Sequence, residues 1–298
     1  MSVPVVFNRR LGMNEINLLF DLIDNTESSE VVNRDQASKF FQLGEAIAFM
    51  SSIDDEAIGG TIVYRDRSRL GMVLAAIGMK KEYQDIGIYT VIKSSLPFFR
   101  TVAIRDVDVV VSERPMENNL GFPLCFCLPS WTTSVLERIG FVKQQELFSC
   151  TLKIGPEDAS NHKEIQWDSK PNFEGARSLI WDEGKTLGLM NSLVWMSLDF
   201  AAHTKTLRTL TDENATKFII SIYDSEGIAI VGTLAAKENF WVSDKASNIL
   251  ASTIKETRAL DIRFPLIGKG QIEMLKTVTE EIGGFLKKES ITLMRRRL

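Results

Sequence analysis

Met72 to Lys93, MVLAAIGMKKEYQDIGIYTVIK, is the stretch whose residue order could do chemistry. An apolar, strand-like run meets a short charged loop, then Gln84-Asp85-Ile86-Gly87-Ile88-Tyr89, then a helical pattern. A strand that feeds a turn and opens into a helix gathers free backbone N–H groups at a positive helix end. That arrangement holds a pyrophosphate without side chains. Gly87 falls where close backbone approach to such a ligand would need the missing Cβ. An ordinary strand–turn–helix with one glycine fits the same letters.

Other reactive residues offer less. Three cysteines, Cys125, Cys127 and Cys150, make an odd count, which argues against a disulfide framework. Cys125 and Cys127 lie in the apolar run FPLCFCLP with neither of the two histidines nearby, so they read as small buried hydrophobes and no metal site is expected. Arg295-Arg296-Arg297 is basic but short, as a solvated strand end would be.

The elements that must position the central stretch follow from periodicity. Asn14–Ile23 and Arg34–Leu43 read as helices; Ala46–Ile53, Ile58–Tyr64 and Leu70–Met79 read as strands, the last buried on both faces. A helix over Tyr89–Leu96 is expected to stop near Pro97. Then come a strand at Val107–Val111, an irregular insertion at Ser112–Leu128, a helix at Trp131–Ile139 and a strand at Lys143–Leu152. Ile154–Lys163, polar with Gly and Pro, is the linker candidate.

The second half carries helices over Phe173–Leu189 and Met190–Leu207, then strands at Phe218–Tyr223, Ile228–Ala236 and Phe240–Ser243. A helix over Ser247–Leu260, a strand at Phe264–Ile267, a helix over Ile272–Ile282 and a strand at Ser290–Arg295 complete it. It echoes the first half. Ser52–Thr61 resembles Ser221–Gly227 with Val231-Gly232-Thr233 following, and Glu137–Lys143 resembles Glu281–Lys287. Two echoes in one order favour a duplicated mixed α/β fold. The second copy is shorter and has no glycine after Phe240–Ser243 to admit a phosphate.

With 298 residues, 44% hydrophobic and 25% charged, the chain suits a globular protein of two domains or one large one. A net charge of −4 gives no global field toward nucleic acid or an anionic membrane. No stretch reaches the roughly 20 apolar residues that cross a bilayer, and the N-terminus lacks a secretory pattern. A cytoplasmic protein is expected.

The central stretch and the later Leu136-Glu137-Arg138-Ile139-Gly140-Phe141 resemble the GNAT superfamily of acyl-CoA-dependent N-acyltransferases. Members show a buried strand, a loop of the form Gln/Arg-x-x-Gly-x-Gly/Ala, a helix, and later a helix ending in Gly-Phe. The resemblance covers most of residues 10–153, and as topology alone about 165–298. It implies an α/β (α+β) fold of two tandem GNAT-like domains, residues 1–155 with the acyl-CoA loop and residues 165–298 degenerate.

That family's job for each position follows. Ile77 and Met79 would pair through their backbone with pantetheine amides. Gln84, Ile86, Gly87, Ile88 and Thr90 would offer N–H groups to the pyrophosphate of acetyl-CoA, with Lys80 and Lys81 adding charge. Asp85 and Tyr89 belong to the same cofactor loop but depart from the pattern: Asp85 sets a negative charge beside an anion, and the ring of Tyr89 must turn away. The family's acid tyrosine is Leu136 here, which donates no proton. Ser130 is the polar residue nearest the usual asparagine, with a helix cap as its other role. Glu113 is the nearest carboxylate to serve as base, or else a solvated loop residue.

Trp131, Trp181 and Trp195 would anchor the core or a domain interface, or line an acceptor pocket. The acceptor would be an amine, on a small molecule or a protein, taken by a monomer or homodimer with no nucleic-acid or membrane partner. A non-catalytic acyl-CoA-binding or regulatory protein is the alternative. An aminoacyl-tRNA donor fits the acidic balance poorly. A Leu298 carboxylate base, as in tandem myristoyl-transferring enzymes, has no supporting residue.

Overall fold

Runs rich in Val, Ile and Ala become strands, and runs with apolar residues three and four apart become helices. The computed structural model describes residues 6–26, 31–66, 70–101, 104–116, 119–155, 164–189, 191–225, 227–241 and 244–298. The chain runs β1 (Val6–Arg10), α1 (Ile16–Thr26), α2 (Arg34–Phe41), β2 (Ala46–Ile53), β3 (Glu56–Asp66), β4 (Gly71–Met79), α3 (Gln84–Thr101), β5 (Asp106–Ser112), α4 (Thr133–Ile139) and β6 (Val142–Lys153). It continues α5 (Phe173–Leu187), α6 (Ser192–His203), β7 (Leu207–Asp212), β8 (Ala215–Ser225), β9 (Ile228–Ala236), α7 (Glu238–Trp241), α8 (Asp244–Thr257), β10 (Asp261–Ile267), α9 (Ile272–Glu281) and β11 (Phe285–Arg297).

The chain divides into two compact units: Met1–Gln145 with Ile291–Leu298, and Glu146–Ser290. In the first, strands lie in the order β1-β2-β3-β4-β5 followed by the end of β11, with only β4 and β5 parallel. In the second, the order is β6-β10-β9-β8-β7, with only β9 and β10 parallel. Apart from β1 and the short α7, each half reads helix, helix, three strands, helix, strand, helix, strand.

Matching hairpins mark the repeat. The β2–β3 turn uses Asp54 and Asp55, and the β7–β8 turn Glu213 and Asn214, all four at positive φ. Two such residues in succession form the turn whose twist suits a two-residue hairpin. The echo between Ser52–Thr61 and Ser221–Gly227 is therefore out of register, because Ser221–Gly227 lies on the β8–β9 turn. The Gly-Phe echo does join equivalent places, ahead of β6 and β11.

In the first unit every residue of β4 is buried, so helices cover both faces. Gly60 and Gly78 are cross-strand partners on β3 and β4, and α1 lies directly on them. A Cβ on Gly78 would stand 2.7 Å from the Ile23 nitrogen, and one on Gly60 2.8 Å from a Leu19 methyl. On the other face α3 covers Gly59, where a Cβ would meet Val91 at 3.2 Å. Phe20, Phe40, Phe41, Tyr64 and Phe122 form an aromatic core beside α1 and α2. In the second unit Phe200 of α6 stacks on Tyr223 of β8, as Phe40 of α2 meets Tyr64 of β3 in the first.

Several elements differ from the sequence expectation. The helix of the central stretch starts at Gln84, not Tyr89, and runs through Pro97 to Thr101. An interior proline removes one backbone donor and crowds the carbonyl four residues back, yet the helix continues past Pro97. Phe240 and Trp241 end a helix, α7, rather than opening a strand. β1 and β7 were absent from the expectation: β1 is mostly exposed and polar, so no apolar run announces it. Trp195 is buried, whereas Trp181 is 58% exposed and anchors no core. Of the linker candidate 154–163, residues 156–163 lie outside the described residues.

The last strand is fastened to the first unit by charge. Asp108 on β5 is fully buried and lies opposite Arg295 on β11; the guanidinium donates Nε to Oδ1 at 2.6 Å and Nη2 to Oδ2 at 2.9 Å. Two parallel charge-assisted bonds fix the register of β11. Removing the cation strands a buried carboxylate, while removing the anion leaves a guanidinium with some solvent access. Arg295→Met is expected to cost about 3 kcal/mol and Asp108→Asn less, as read from urea unfolding; equal and small losses would show that the pair is incidental.

Candidate functional site

β4 and β5 begin side by side and then part. Their parallel pairing covers only Gly71–Val73 against Asp106–Asp108. Immediately afterward, the β3–β4 register slips between Leu74 and Ala76, which makes Ala75 a bulged residue. A bulge bends its strand and increases the local twist, so β4 turns away from β5. β5 covers its own exposed edge with Leu128, whose N–H reaches Val110 O at 2.9 Å and whose carbonyl accepts from Ser112 N at 3.0 Å. The far end of β4 is thus left without a strand partner on this side, although its residues are buried.

Ile77 and Met79 lie on that edge. Lys80 N–H donates to Ile58 O across the β3 side, at 2.9 Å. Alternation along a strand then points the amide groups of Met79 and Ile77 the other way, off β3. Those of Met79 already have a partner. Thr26, at the end of α1, accepts from Met79 N–H at 2.6 Å and lies 3.0 Å from Met79 O.

β4 leads through a 3-10 turn, Lys81–Tyr83, straight into α3. Tyr83 N–H is bonded to Lys80 O, and Gln84 N–H to Lys81 O. Helix geometry leaves the N–H groups of a helix's first turn without an i−4 partner, so any donors offered to an anion here come from the first turn of α3. Gln84 is half-buried, while Gly87 and Ile88 are buried. Ile88 and Thr90 lie past the first turn, where an amide is committed to the helix.

The missing Cβ of Gly87 faces inward, 2.7 Å from the Met79 methyl carbon, so this glycine sets the helix close to the end of β4. Tyr89 turns its ring along the helix, 5.2 Å beneath the Lys93 ammonium. Lys80 is ion-paired with Glu56, whose hydrogen bond raises the lysine's pKa, whereas Lys81 is exposed.

The two candidate catalytic side chains stand in solvent. Glu113 is exposed, 3.6 Å from Lys143 and 3.4 Å from the Thr292 hydroxyl. Ser130 is exposed at the start of a 3-10 turn, and its side chain caps nothing; Pro129 holds the cap position and Thr132 bonds the Pro129 carbonyl. Leu136 is fully buried. Among the described residues no group of three His, Cys, Asp or Glu could hold a metal. None of their helices is long and apolar enough to cross a membrane.

The second unit repeats the parting of strands. β9 and β10 pair only at Ile228–Ile230 against Asp261–Arg263, and Gly232 is the bulged residue. By register from the two bulges, Leu234 corresponds to Ile77 and Ala236 to Met79. Here the gap is filled. Gln271, fully buried, donates Nε2 to Leu234 O at 2.7 Å and accepts Gly268 N–H on Oε1 at 2.8 Å.

No family model matches the chain, and no curated protein matches its sequence. Solved structures match its fold over nearly its whole length. A Pyrococcus horikoshii protein provisionally described as an acetyltransferase has a TM-score of 0.62 at 13% identity, covering 100% of this chain and 91% of its own. A GCN5-related N-acetyltransferase from Sphaerobacter thermophilus scores 0.59 at 11% identity, covering 98% and 95%. A tandem GNAT protein from the clavulanic acid biosynthesis pathway scores 0.60 at 9% identity, covering 98% of each chain. This chain has the GNAT acetyltransferase fold.

Sequence reasoning found the strand, the glycine and the helix but missed Thr26 and Gln271. A threonine closing a helix and a glutamine opening one carry no signal until the strands part in space.

Two outcomes test this geometry. Gln271→Leu strands a carbonyl and an N–H inside the second unit, so it is expected to cost about 1–3 kcal/mol in urea unfolding. Burial pushes the Cys150 thiol up to about 12, so at pH 8 it stays protonated. Iodoacetamide mapped by mass spectrometry is expected to leave Cys150 unmodified in the folded protein and modify it in urea; early labelling would contradict its burial.

Proposed function

We propose that the chain is an acetyl-CoA-dependent N-acetyltransferase whose first unit holds the acyl donor. One observation carries the reading: β4 parts from β5 at the Ala75 bulge and then runs, with no strand on that edge, to a helix N-terminus. An edge of N–H and C=O groups suits the amides of pantetheine. The first turn of α3 and the exposed Lys81 suit the diphosphate. Acetyl-CoA, when bound, supplies a thioester, a carbonyl activated toward amines.

Ile77 would align the donor arm along β4, and the start of α3 would anchor its charged end, so the protein's share of the work is positioning. The amine nitrogen forms the new N–C bond as the C–S bond breaks, and one proton passes from the amine to the departing sulfur. Neither Glu113 nor Ser130 stands in a closed site to carry that proton, so solvent is the carrier that fits. Three cysteines, none in a disulfide, and the acidic composition suit a cytoplasmic setting. Small-molecule and protein amines both fit the acceptor role, and the second unit, its gap closed by Gln271, fits a structural role.

The buried Leu136 at the family's tyrosine position favours a second reading, an acyl-CoA-binding regulator without turnover. Calorimetry with acetyl-CoA, hydrogen exchange over residues 74–86, and mass spectrometry of an amine panel separate the two. Binding that protects Leu74–Met79 and weakens about three- to tenfold in Lys81→Glu is expected. Acetylated amine supports the enzyme, and binding without transfer supports the regulator. No binding at millimolar acetyl-CoA would remove both.

A further inference from the structure

The edge of β4 that faces the gap is closed at one point by the protein itself. Thr26 Oγ1 accepts Met79 N–H at 2.6 Å and stands 3.0 Å from Met79 O, so one hydroxyl meets both main-chain groups of that residue. Its position is enforced. α1 is pressed onto Gly60 and Gly78, where any side chain would lift it. Just before Thr26, Asp24 takes the N–H groups of Val31 and Val32, each at 3.0 Å, and the Arg34 guanidinium at 2.5 Å.

The Thr26 hydroxyl also lies 2.6 Å from Leu22 O on its own helix, so its proton has an acceptor other than Met79 O. The residue is half-buried. The corresponding gap of the second unit is closed instead by the fully buried Gln271, whose carboxamide has both ends engaged.

We propose that Thr26 is a releasable plug of the first unit's groove: its hydroxyl stands on the Met79 main chain where an amide of the acyl donor would bind, and the donor enters by displacing it. This rests on the acyl-CoA reading of that groove. It makes Thr26 a determinant of donor affinity although it belongs to neither β4 nor α3. A ligand amide that takes over Met79 gains only the difference between its own bonds and those of the hydroxyl.

The test compares wild type, Thr26→Val, which keeps the shape and loses the hydroxyl, and Thr26→Ser, which keeps the hydroxyl. Hydrogen exchange of the Met79 amide is measured without ligand, and acetyl-CoA binding is measured by calorimetry. In Thr26→Val, Met79 exchange is expected to rise about five- to tenfold and the Kd for acetyl-CoA to fall by a similar factor. Thr26→Ser is expected to follow wild type in both.

Unchanged Met79 exchange in Thr26→Val overturns the plug whatever the ligand does. Faster exchange with an unchanged or weaker Kd also overturns it, while the acyl-CoA reading stands. Faster exchange with no acetyl-CoA binding by any of the three proteins removes the acyl-CoA reading and the plug together, leaving Thr26 as a clamp between α1 and β4.

Discussion

Backbone hydrogen-bond accounting along β4 is the constraint on which the first unit depends. A strand inside a sheet satisfies both edges, and an amide group left unpaired in a buried place costs about as much as a lost hydrogen bond. β4 settles one edge on β3 along its whole length and the other on β5 for only three residues. Everything distinctive about the site answers the remaining question of what partners the far edge. Leu128 answers it for β5, and Thr26 answers it for one residue of β4. The glycines at 59, 60 and 78 let two helices sit close enough to that edge to matter.

The same question arises in the second unit and receives a different answer. The strands part after the same three-residue pairing and beside the same kind of bulge. A loop carrying Gly268 and Gly270 then approaches the end of α5 so closely that a Cβ on Gly268 would lie 1.9 Å from Leu187 O. This brings the Gln271 amide inside, and a polar side chain with both ends bonded belongs to the core. Two copies of one architecture thus differ by what fills a gap, which is a difference of side chains and not of topology.

The sequence made the architecture legible because its evidence is local. β2 and β9 match their expected ranges, and a strand does lead into a helix at the central stretch, with Gly87 inside that helix and not ahead of it. What it left unread was three-dimensional. Gly87 invites a ligand on paper, yet its bare Cα faces Met79. Ser130 looked like a cap and lies exposed beside the cap residue. The echo at Ser52–Thr61 paired non-equivalent turns because Asp, Ser and Gly recur in any hairpin. Thr26 acquired meaning only once α1 was laid across Gly78.

The long strands β6 and β11 have a consequence for how the molecule is made. The first unit's sheet ends on Ile291–Arg297, and the whole of Glu146–Ser290 separates that segment from the rest of the unit. A ribosome adding about 5–20 residues per second needs roughly 7–30 s to cross the intervening stretch. During that interval β5 exposes an unpaired edge, and Asp108 carries its charge with no guanidinium opposite. The half of the protein that emerges first therefore receives its last strand only after the other half has been synthesised.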